Sequence, residues 1–193
     1  MISTMPAAAH ATLEAWLALD EDDSRELVDG VLEEAEVPTP IHETVVRWLV
    51  VWLDAYFRPR GGFVFASGIK LAIRRNRGRI ADVVCYAAGR TPEIDGLVRT
   101  PPDIVIEVIS RTPRDAARDR IQKPADYASF GVKQYWLVDP HARSFEVWQL
   151  AARRRHVRLA AATGGKIQRL PGYAGLTIDV DALWAEVDRL CRR

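Results

Sequence analysis

Residues 103–110 read DIVIEVIS, and branched apolar side chains fill most of this stretch. Nearly continuous apolar character is typical of a central strand that is covered on both faces. Pro101 and Pro102 precede the stretch and mark its beginning. Glu107 interrupts it, and a buried carboxylate is costly unless it is paired or binds a cation. The stretch therefore predicts a central strand that carries one acid in need of a partner.

A second acid, Asp82, lies in a similar apolar run, RIADVVCY at residues 79–86. If the two strands are neighbours, both carboxylates can face one cleft. At about 4 Å and an effective dielectric near 20 they would repel by roughly 4 kcal/mol, a cost that a divalent cation would reverse. Carboxylates, waters and a substrate phosphate are the usual ligands of Mg²⁺. The alternative is that each acid pairs with an arginine, or that Glu107 lies at a solvated strand end.

The chain has 193 residues, of which 48% are hydrophobic and 27% charged, and a formal net charge of +1. This composition predicts one folded domain, with an N-terminal helix and hairpin over 10–37, a core over 41–140, and C-terminal strands and a helix over 143–190. No apolar run approaches the roughly 20 residues that span a bilayer, so we expect a cytoplasmic protein without a membrane partner. The near-neutral charge leaves only local basic clusters to attract nucleic acid.

Local patterns predict a mixture of helices and strands. Asp29-Gly30 between two apolar runs indicates a hairpin turn. Apolar residues at helical spacing predict a helix over 41–57. Further helical regions are expected over 113–130 and 181–190. The expected strands have the sequences GFVFAS, IKLAIR, IADVVCYA, DIVIEVIS, KQYWLVDP and SFEVWQL.

Arginines cluster in IRRNRGRI at residues 73–80, which we predict to be a loop before the Asp82 strand. If this loop flanks the cleft, its guanidinium groups are well placed to bind phosphate oxygens of nucleic acid. A solvated surface loop is an equally good interpretation. The arginines concerned are Arg74, Arg75, Arg77 and Arg79.

Asp119, Lys123 and Tyr127 are four residues apart, so they share one face of any continuous helix. A surface salt bridge with an aromatic cover would show the same spacing. Pro124 follows the lysine directly, removes a helical hydrogen bond and disfavours helical geometry in the residue before it. We expect the helix either to kink or to begin at this point.

The order of these motifs resembles the Uma-two family, which is assigned to the PD-(D/E)XK restriction-endonuclease-like superfamily. The resemblance runs from about Glu26 to about Leu183 and is most specific over 103–140. That superfamily has an α/β fold (α+β, mixed sheet) in which helices flank a central mixed β-sheet. The matching motifs are RELVDG, the helix with leading His42, ADVVCY, DIVIEVIS, the Asp119, Lys123 and Tyr127 spacing, and GVKQYWLVDP.

The resemblance implies that Asp82 and Glu107 hold a divalent metal ion, Mg²⁺ or Mn²⁺. The superfamily lysine would stand two positions after the glutamate, where this chain has Ile109. Lys123 matches the family's helix lysine and is the expected catalytic cation. Glu26 matches the acid that opens the family pattern and is expected at the catalytic site as well. The expected accessory residues are His42, Asp119 and Tyr127.

These implications favour metal-dependent hydrolysis of phosphodiester bonds by a DNA endonuclease, with a homodimer as a convenient assembly for cutting both strands. One alternative is a weak or inactive protein of the same fold that binds nucleic acid or a protein partner, since a fold does not determine a function. Another is a structural protein in which KQYWLVDP and SFEVWQL form a dimer surface. The alternative for these strands is that Trp136 and Trp148 simply fill the core.

Overall fold

The computed structural model describes residues 10–20, 23–34, 37–66, 68–110 and 117–192. The helices in these residues are α1 (Leu13–Leu17), α2 (Pro40–Phe57), α3 (Lys123–Phe130) and α4 (Val180–Cys191), with a 3₁₀ turn at Arg58–Arg60 and a π-helical turn at Arg118–Gln122. The strands are β1 (Glu26–Val28), β2 (Val31–Glu33), β3 (Phe63–Ala66), β4 (Lys70–Arg74), β5 (Arg77–Ile80), β6 (Val83–Tyr86), β7 (Ile104–Val108), β8 (Gln134–Asp139), β9 (Ser144–Ala151), β10 (Arg155–Ala162), β11 (Lys166–Ile167) and β12 (Ile178–Asp179). This composition of elements confirms the α/β class.

The larger sheet has six strands in the order β10-β9-β8-β7-β6-β3. Strand β7 pairs antiparallel with β6 and parallel with β8, so the sheet is mixed. All five residues of β7 are buried. The prediction of a central strand is therefore confirmed, because β7 has a neighbour on each edge and is covered on each face.

The side chains of β7 alternate between two apolar cores, as the pleat of a strand requires. Ile104, Ile106 and Val108 belong to the core that the sheet forms with α2 and α4. Val105 and, just after the strand, Ile109 belong to the core on the opposite face, together with residues of α3. Glu107 lies between these two residues in the alternation. Helices therefore flank the sheet as predicted, and Glu107 lies on the face that α3 covers.

A smaller sheet has four strands in the order β2-β1-β5-β4. Its first hairpin turns at Asp29 and Gly30, whose φ angles of 50° and 81° suit a tight turn. This confirms the hairpin prediction. The expectation of a loop throughout the arginine cluster is wrong, because Arg77–Ile80 form strand β5, which pairs with both β4 and β1.

Within the described residues the helical region before Phe130 begins with Ala117 and the π-helical turn, and residues 113–116 of the predicted helix lie outside the described residues. Helix α3 then begins at Lys123 with Pro124 in its first turn. Helical geometry runs on from the π-helical turn through Gln122 and Lys123, so neither a free helix start nor a break is observed. Pro124, which has no N–H to donate, lies where the bonding changes from the π-helical to the α-helical pattern.

The aromatic strands β8 and β9 lie inside the larger sheet. Tyr135 and Trp136 are fully buried, and Trp136 belongs to the core shared with α2 and α4. The interpretation of β8 as an aromatic dimer surface is therefore wrong for these two side chains. No helix in the described part of the chain is long and apolar enough to cross a membrane.

Trp16 of α1 anchors the smaller sheet. It is fully buried, and its Nε1 donates a hydrogen bond of 2.6 Å to the carbonyl oxygen of Arg25. Its ring lies directly over β5, where a Cβ atom on Gly78 would stand 2.1 Å from Trp16 Cζ3. The close approach of this ring is the reason that glycine is required in the middle of a strand.

We expect Gly78→Ala to lower the free energy of unfolding by about 3 kcal/mol, because the added methyl group overpacks the contact with Trp16. Urea unfolding of the two proteins measures this difference. In the double variant Trp16→Leu/Gly78→Ala, leucine at position 16 leaves room for the added methyl group. The loss of unfolding free energy in this variant should therefore be smaller than the sum of the losses in the two single variants. A Gly78→Ala protein as stable as the wild type would contradict the packing described here.

Candidate active site

Asp82 and Glu107 lie side by side on one face of the larger sheet. Strands β6 and β7 pair antiparallel with Val83 opposite Ile106. One position further along, Asp82 and Glu107 are the next opposed pair, and opposed residues point to the same face. Asp82 Oδ2 also accepts a hydrogen bond of 2.7 Å from the backbone N–H of Val108. The two acids therefore come from separate strands and converge.

Asp82 lies where the chain passes from the smaller sheet to the larger sheet. Strand β5 of the smaller sheet ends at Ile80, and strand β6 of the larger sheet begins at Val83. Glu26 of β1 closes the end of β5, because its Oε1 accepts a hydrogen bond of 3.0 Å from the N–H of Ile80. The junction between the sheets thus presents Asp82, whose side chain is 20% exposed.

Both oxygens of the Glu107 carboxylate are engaged. Oε2 lies 2.8 Å from the Lys123 ammonium, and Oε1 accepts a hydrogen bond of 2.5 Å from the Tyr127 hydroxyl. Both partners belong to α3, one turn apart, so the helix presents them to the same carboxylate. The Glu107 side chain is 2% exposed, so this contact excludes water.

Lys123 has two further acidic neighbours. Its Nζ lies 3.1 Å from Asp119 Oδ1 and 3.9 Å from Glu26 Oε1. Asp119 belongs to the π-helical turn, in which the Lys123 N–H bonds to the carbonyl oxygen of Arg118, five residues back. Turns of this kind are frequent at functional sites. The structure thus brings the predicted Asp119, Lys123 and Tyr127 together at Glu107.

His42 occupies the first turn of α2 and contacts Asp82. Its Nε2 lies 3.2 Å from Asp82 Oδ2, and its Nδ1 lies 3.1 Å from Glu43 Oε1. The helix begins at the N-cap Thr39, whose side chain accepts a hydrogen bond from the His42 N–H. Burial would lower the pKa of His42, but the Asp82 and Glu43 carboxylates prevail and raise this pKa to about 9. His42 is therefore a cation that holds one oxygen of Asp82.

The carboxylates of the site differ in proton affinity. Burial raises the pKa of Glu107, and the charges of Asp82 and Asp119 add to the effect, while the Lys123 ammonium opposes it. Burial also raises the pKa of Asp119 against the pull of Lys123. In contrast, the pKa of Asp82 is lowered, because the hydrogen bond and charge of His42 outweigh burial. The pKa of Glu26 is also lowered, because the charges of Lys123 and Arg79 outweigh burial. Asp82 and Glu26 are thus held in the ionised form that a metal ion requires, in contrast to Glu107 and Asp119.

Arg79 joins the site to the smaller sheet. It is fully buried, and its Nη1 donates a hydrogen bond of 2.7 Å to Glu26 Oε2. Its Nε and Nη2 donate to Asp126 Oδ2 at 2.9 and 2.7 Å. Arg77 donates to the same oxygen at 3.0 Å. Because Asp126 lies in α3, these arginines hold the helix that carries Lys123.

These contacts correct the prediction that the whole arginine cluster binds phosphate. Arg77 and Arg79 point into the protein, where the carboxylates of Glu26, Asp29 and Asp126 neutralise them. Arg74 is exposed and pairs with Asp29 at 3.0 Å. Only Arg74 and Arg75 of the four remain on the surface.

The donors at this site fit a divalent cation held by few protein ligands. Asp82 Oδ1 has no hydrogen-bond or ion-pair partner among the described residues, and its side chain is accessible to solvent. Glu107 supplies a second hard oxygen beside it. Within the described ranges no three His, Cys, Asp or Glu side chains form a metal cage. Asp82 and Glu107 are thus the residues that would hold such an ion, and Mg²⁺ takes its remaining ligands from water and phosphate.

A family model described as "Putative restriction endonuclease" matches residues 11–181. The chain belongs to this Uma2 (Uma-two) family. A crystal structure from Anabaena variabilis, described as "a putative nuclease belonging to DUF820", is similar to the chain with a TM-score of 0.73 and 17% identity. The match covers 91% of this chain and 98% of that one. At that identity the likeness shows the fold alone, and a comparison with curated proteins found no match.

Sequence reasoning missed the supporting role of Arg79 and Asp126 in this Uma2 protein. One local signal was present, since Arg77 and Arg79 are two residues apart and would share a face of a strand. Neither acid partner is near them in sequence, because Glu26 and Asp126 are 53 and 47 residues away. The pairing could therefore not be read from the cluster itself.

We expect Arg79→Met to lower the free energy of unfolding by about 3 to 5 kcal/mol, because Glu26 and Asp126 would be left buried without their cation. Urea unfolding measures the loss. Arg75→Met is the matched control, since Arg75 is exposed and its side chain has no ion pair with a described residue, and it should leave the stability unchanged. Equal stabilities of the two variants would show that Arg79 is not structural.

Proposed function

We propose that this protein is a metal-dependent DNA endonuclease that hydrolyses phosphodiester bonds at the site of Asp82 and Glu107. The observation that carries the proposal is the convergence of these two carboxylates from adjacent strands, with the Lys123 ammonium 2.8 Å from Glu107. Membership of the Uma2 family and a nuclease-like fold support the same reaction class.

Asp82 and Glu107 are the residues that would hold the metal ion, Mg²⁺ or Mn²⁺. A bound ion of this kind polarises a phosphoryl oxygen and lowers the pKa of a water molecule, so that hydroxide is available at neutral pH. His42 engages Asp82 Oδ2, whereas Oδ1 has no hydrogen-bond or ion-pair partner among the described residues. The open oxygen is therefore the one that would meet an incoming ion first.

Lys123 is proposed to stabilise the negative charge that develops on the phosphate. A preorganised ammonium in a water-excluded site is most effective in this role, because it needs no reorientation during the reaction. Glu26 and Asp119 hold the ammonium from its other sides. Tyr127 fixes the second oxygen of Glu107. In this proposal α3 supplies the cation that Ile109 cannot provide from the strand.

A second candidate is a protein that binds nucleic acid without cutting it. It is favoured by one feature, the engagement of both Glu107 oxygens by Lys123 and Tyr127. A metal ion would have to compete with these partners. The two candidates differ in whether metal ions support cleavage.

Incubation of supercoiled plasmid with the pure protein should give nicked product in Mg²⁺ or Mn²⁺ and none in EDTA. We expect Asp82→Asn and Glu107→Gln, which preserve shape but remove charge, to lower the nicking rate at least about 100-fold, the scale of losing one charge-stabilising group. Gel electrophoresis of the plasmid over time gives the rates.

The matched control is Asp103→Asn, since Asp103 is a buried acid just before β7 that pairs with Lys133 rather than Lys123. It should nick at the wild-type rate, and thermal unfolding should show that all variants are folded. DNA binding by the wild type without nicking in either metal would reject hydrolysis and favour the second candidate. Light scattering of the same samples tests the homodimer that would place two sites on one duplex.

A further inference from the structure

An open cleft of about 840 Å³ lies at the end of α3 that is remote from Lys123. Its walls are the segment His10–Glu14, the β4–β5 turn, Arg99 and Phe130. We call it the arginine cleft, because Arg74, Arg75 and Arg99 line it. The site of Asp82 and Glu107 shares none of these residues, so the cleft is a separate feature.

The charge of the arginine cleft is positive and available to a ligand. Three arginines face one lining acid, Glu14. Arg74 is held by Asp29, but the side chains of Arg75 and Arg99 make no ion pair or hydrogen bond with a described residue. Both are exposed. Guanidinium groups in this state are suited to phosphate oxygens, which they can bind through two parallel hydrogen bonds.

The β9–β10 turn extends the positive surface along the same end of α3. Arg154 Nη1 donates a hydrogen bond of 2.6 Å to the carbonyl oxygen of Ser129, the residue before Phe130. Arg153 and Arg155 beside Arg154 are exposed. Cations from three separate segments therefore surround Phe130.

Helix α3 sets the distance between the arginine cleft and the acid site. Lys123 is its first residue and Phe130 its last. Seven steps at about 1.5 Å each correspond to roughly 10 Å along the helix axis. The arginine cleft and the acid site therefore lie at opposite ends of one short helix, close enough for one bound strand to extend from the cleft to the acids.

We propose that the arginine cleft binds a single strand of DNA that leads into the site of Asp82 and Glu107. Phe130 is partly exposed in the cleft and offers an aromatic surface, and aromatic rings flanked by arginines are typical platforms for unpaired bases. A duplex keeps its base faces stacked inside and cannot use such a surface. The link to cleavage rests on the proposed function, but binding can be measured apart from it.

The test is fluorescence anisotropy of a labelled 12-nucleotide thymidine strand, with the full chain in EDTA so that no cleavage occurs. We expect Arg75→Ala/Arg99→Ala to weaken binding at least tenfold and to reduce the slope of log affinity against log salt by about 1.4, as for two lost phosphate contacts. Phe130→Leu, which preserves packing, should weaken it about tenfold through lost stacking. Arg58→Ala is the control with the same loss of charge per residue, at an exposed arginine outside the cleft.

Binding that survives in Arg58→Ala and is lost in the cleft variants supports the proposal. Equal losses in Arg58→Ala, equal affinity for a duplex of the same length, or equal affinity for polyglutamate would overturn it, because each indicates charge attraction without a defined strand site. No binding by the wild type would overturn it as well. If the cleft binds the strand but plasmid nicking is absent, the cleft proposal stands and the proposed hydrolysis fails.

Discussion

The Lys123 ammonium lies within 4 Å of three carboxylates and is almost completely shielded from water. Its neighbours are Glu107 at 2.8 Å, Asp119 at 3.1 Å and Glu26 at 3.9 Å. A lone buried charge costs several kcal/mol, and so does each of these acids without a cation. Their mutual neutralisation is therefore a condition of the fold as well as of the site. Because the acids come from β7, the π-helical turn and β1, one cation joins the larger sheet, the smaller sheet and the helical layer.

Further cations hold the acids around Lys123 in place. Arg79 neutralises Glu26 and also holds Asp126 of α3, so the lysine is fixed from the smaller sheet as well as from its own helix. His42, in the first turn of α2, neutralises Asp82 in the same way. The acids of the site are therefore neutralised by three cations from different elements, and Lys123 and Arg79 each serve more than one acid. Such a network stays in place only when every member is paired, which gives the site a defined geometry.

The superfamily pattern would place a lysine two positions after Glu107, where this chain has Ile109, and in this structure another segment brings the ammonium to Glu107. Ile109 is 3% exposed and packs in the core beneath α3, so its position serves packing and has no room for a charge. The ammonium comes instead from α3, in the helical layer that covers this face of the sheet. The π-helical turn before Lys123 is bonded to the sheet through Arg120, which contacts Asp139 and Glu146. Helix and strand thus meet at Glu107 from two directions.

Much of the architecture followed from local patterns in the chain. The apolar run around Glu107, the Asp29-Gly30 turn and the helical spacing of 41–57 depend on neighbours in sequence, and the structure agrees with all three. The arginine cluster shows the limit of such patterns. Whether Arg77 and Arg79 are solvated or buried depends on Glu26, Asp29 and Asp126, which approach only when the two sheets and α3 assemble.

The sequence alone determined which segments are strands or helices and which acids lie in apolar surroundings, because hydrophobic periodicity is a property of consecutive residues. The tertiary structure decided which cation serves which acid, since a charge in a low-dielectric interior is stabilised only by contacts within a few ångströms. For Lys123, Arg79 and His42 those contacts lie on other segments of the chain, and no local pattern specifies them.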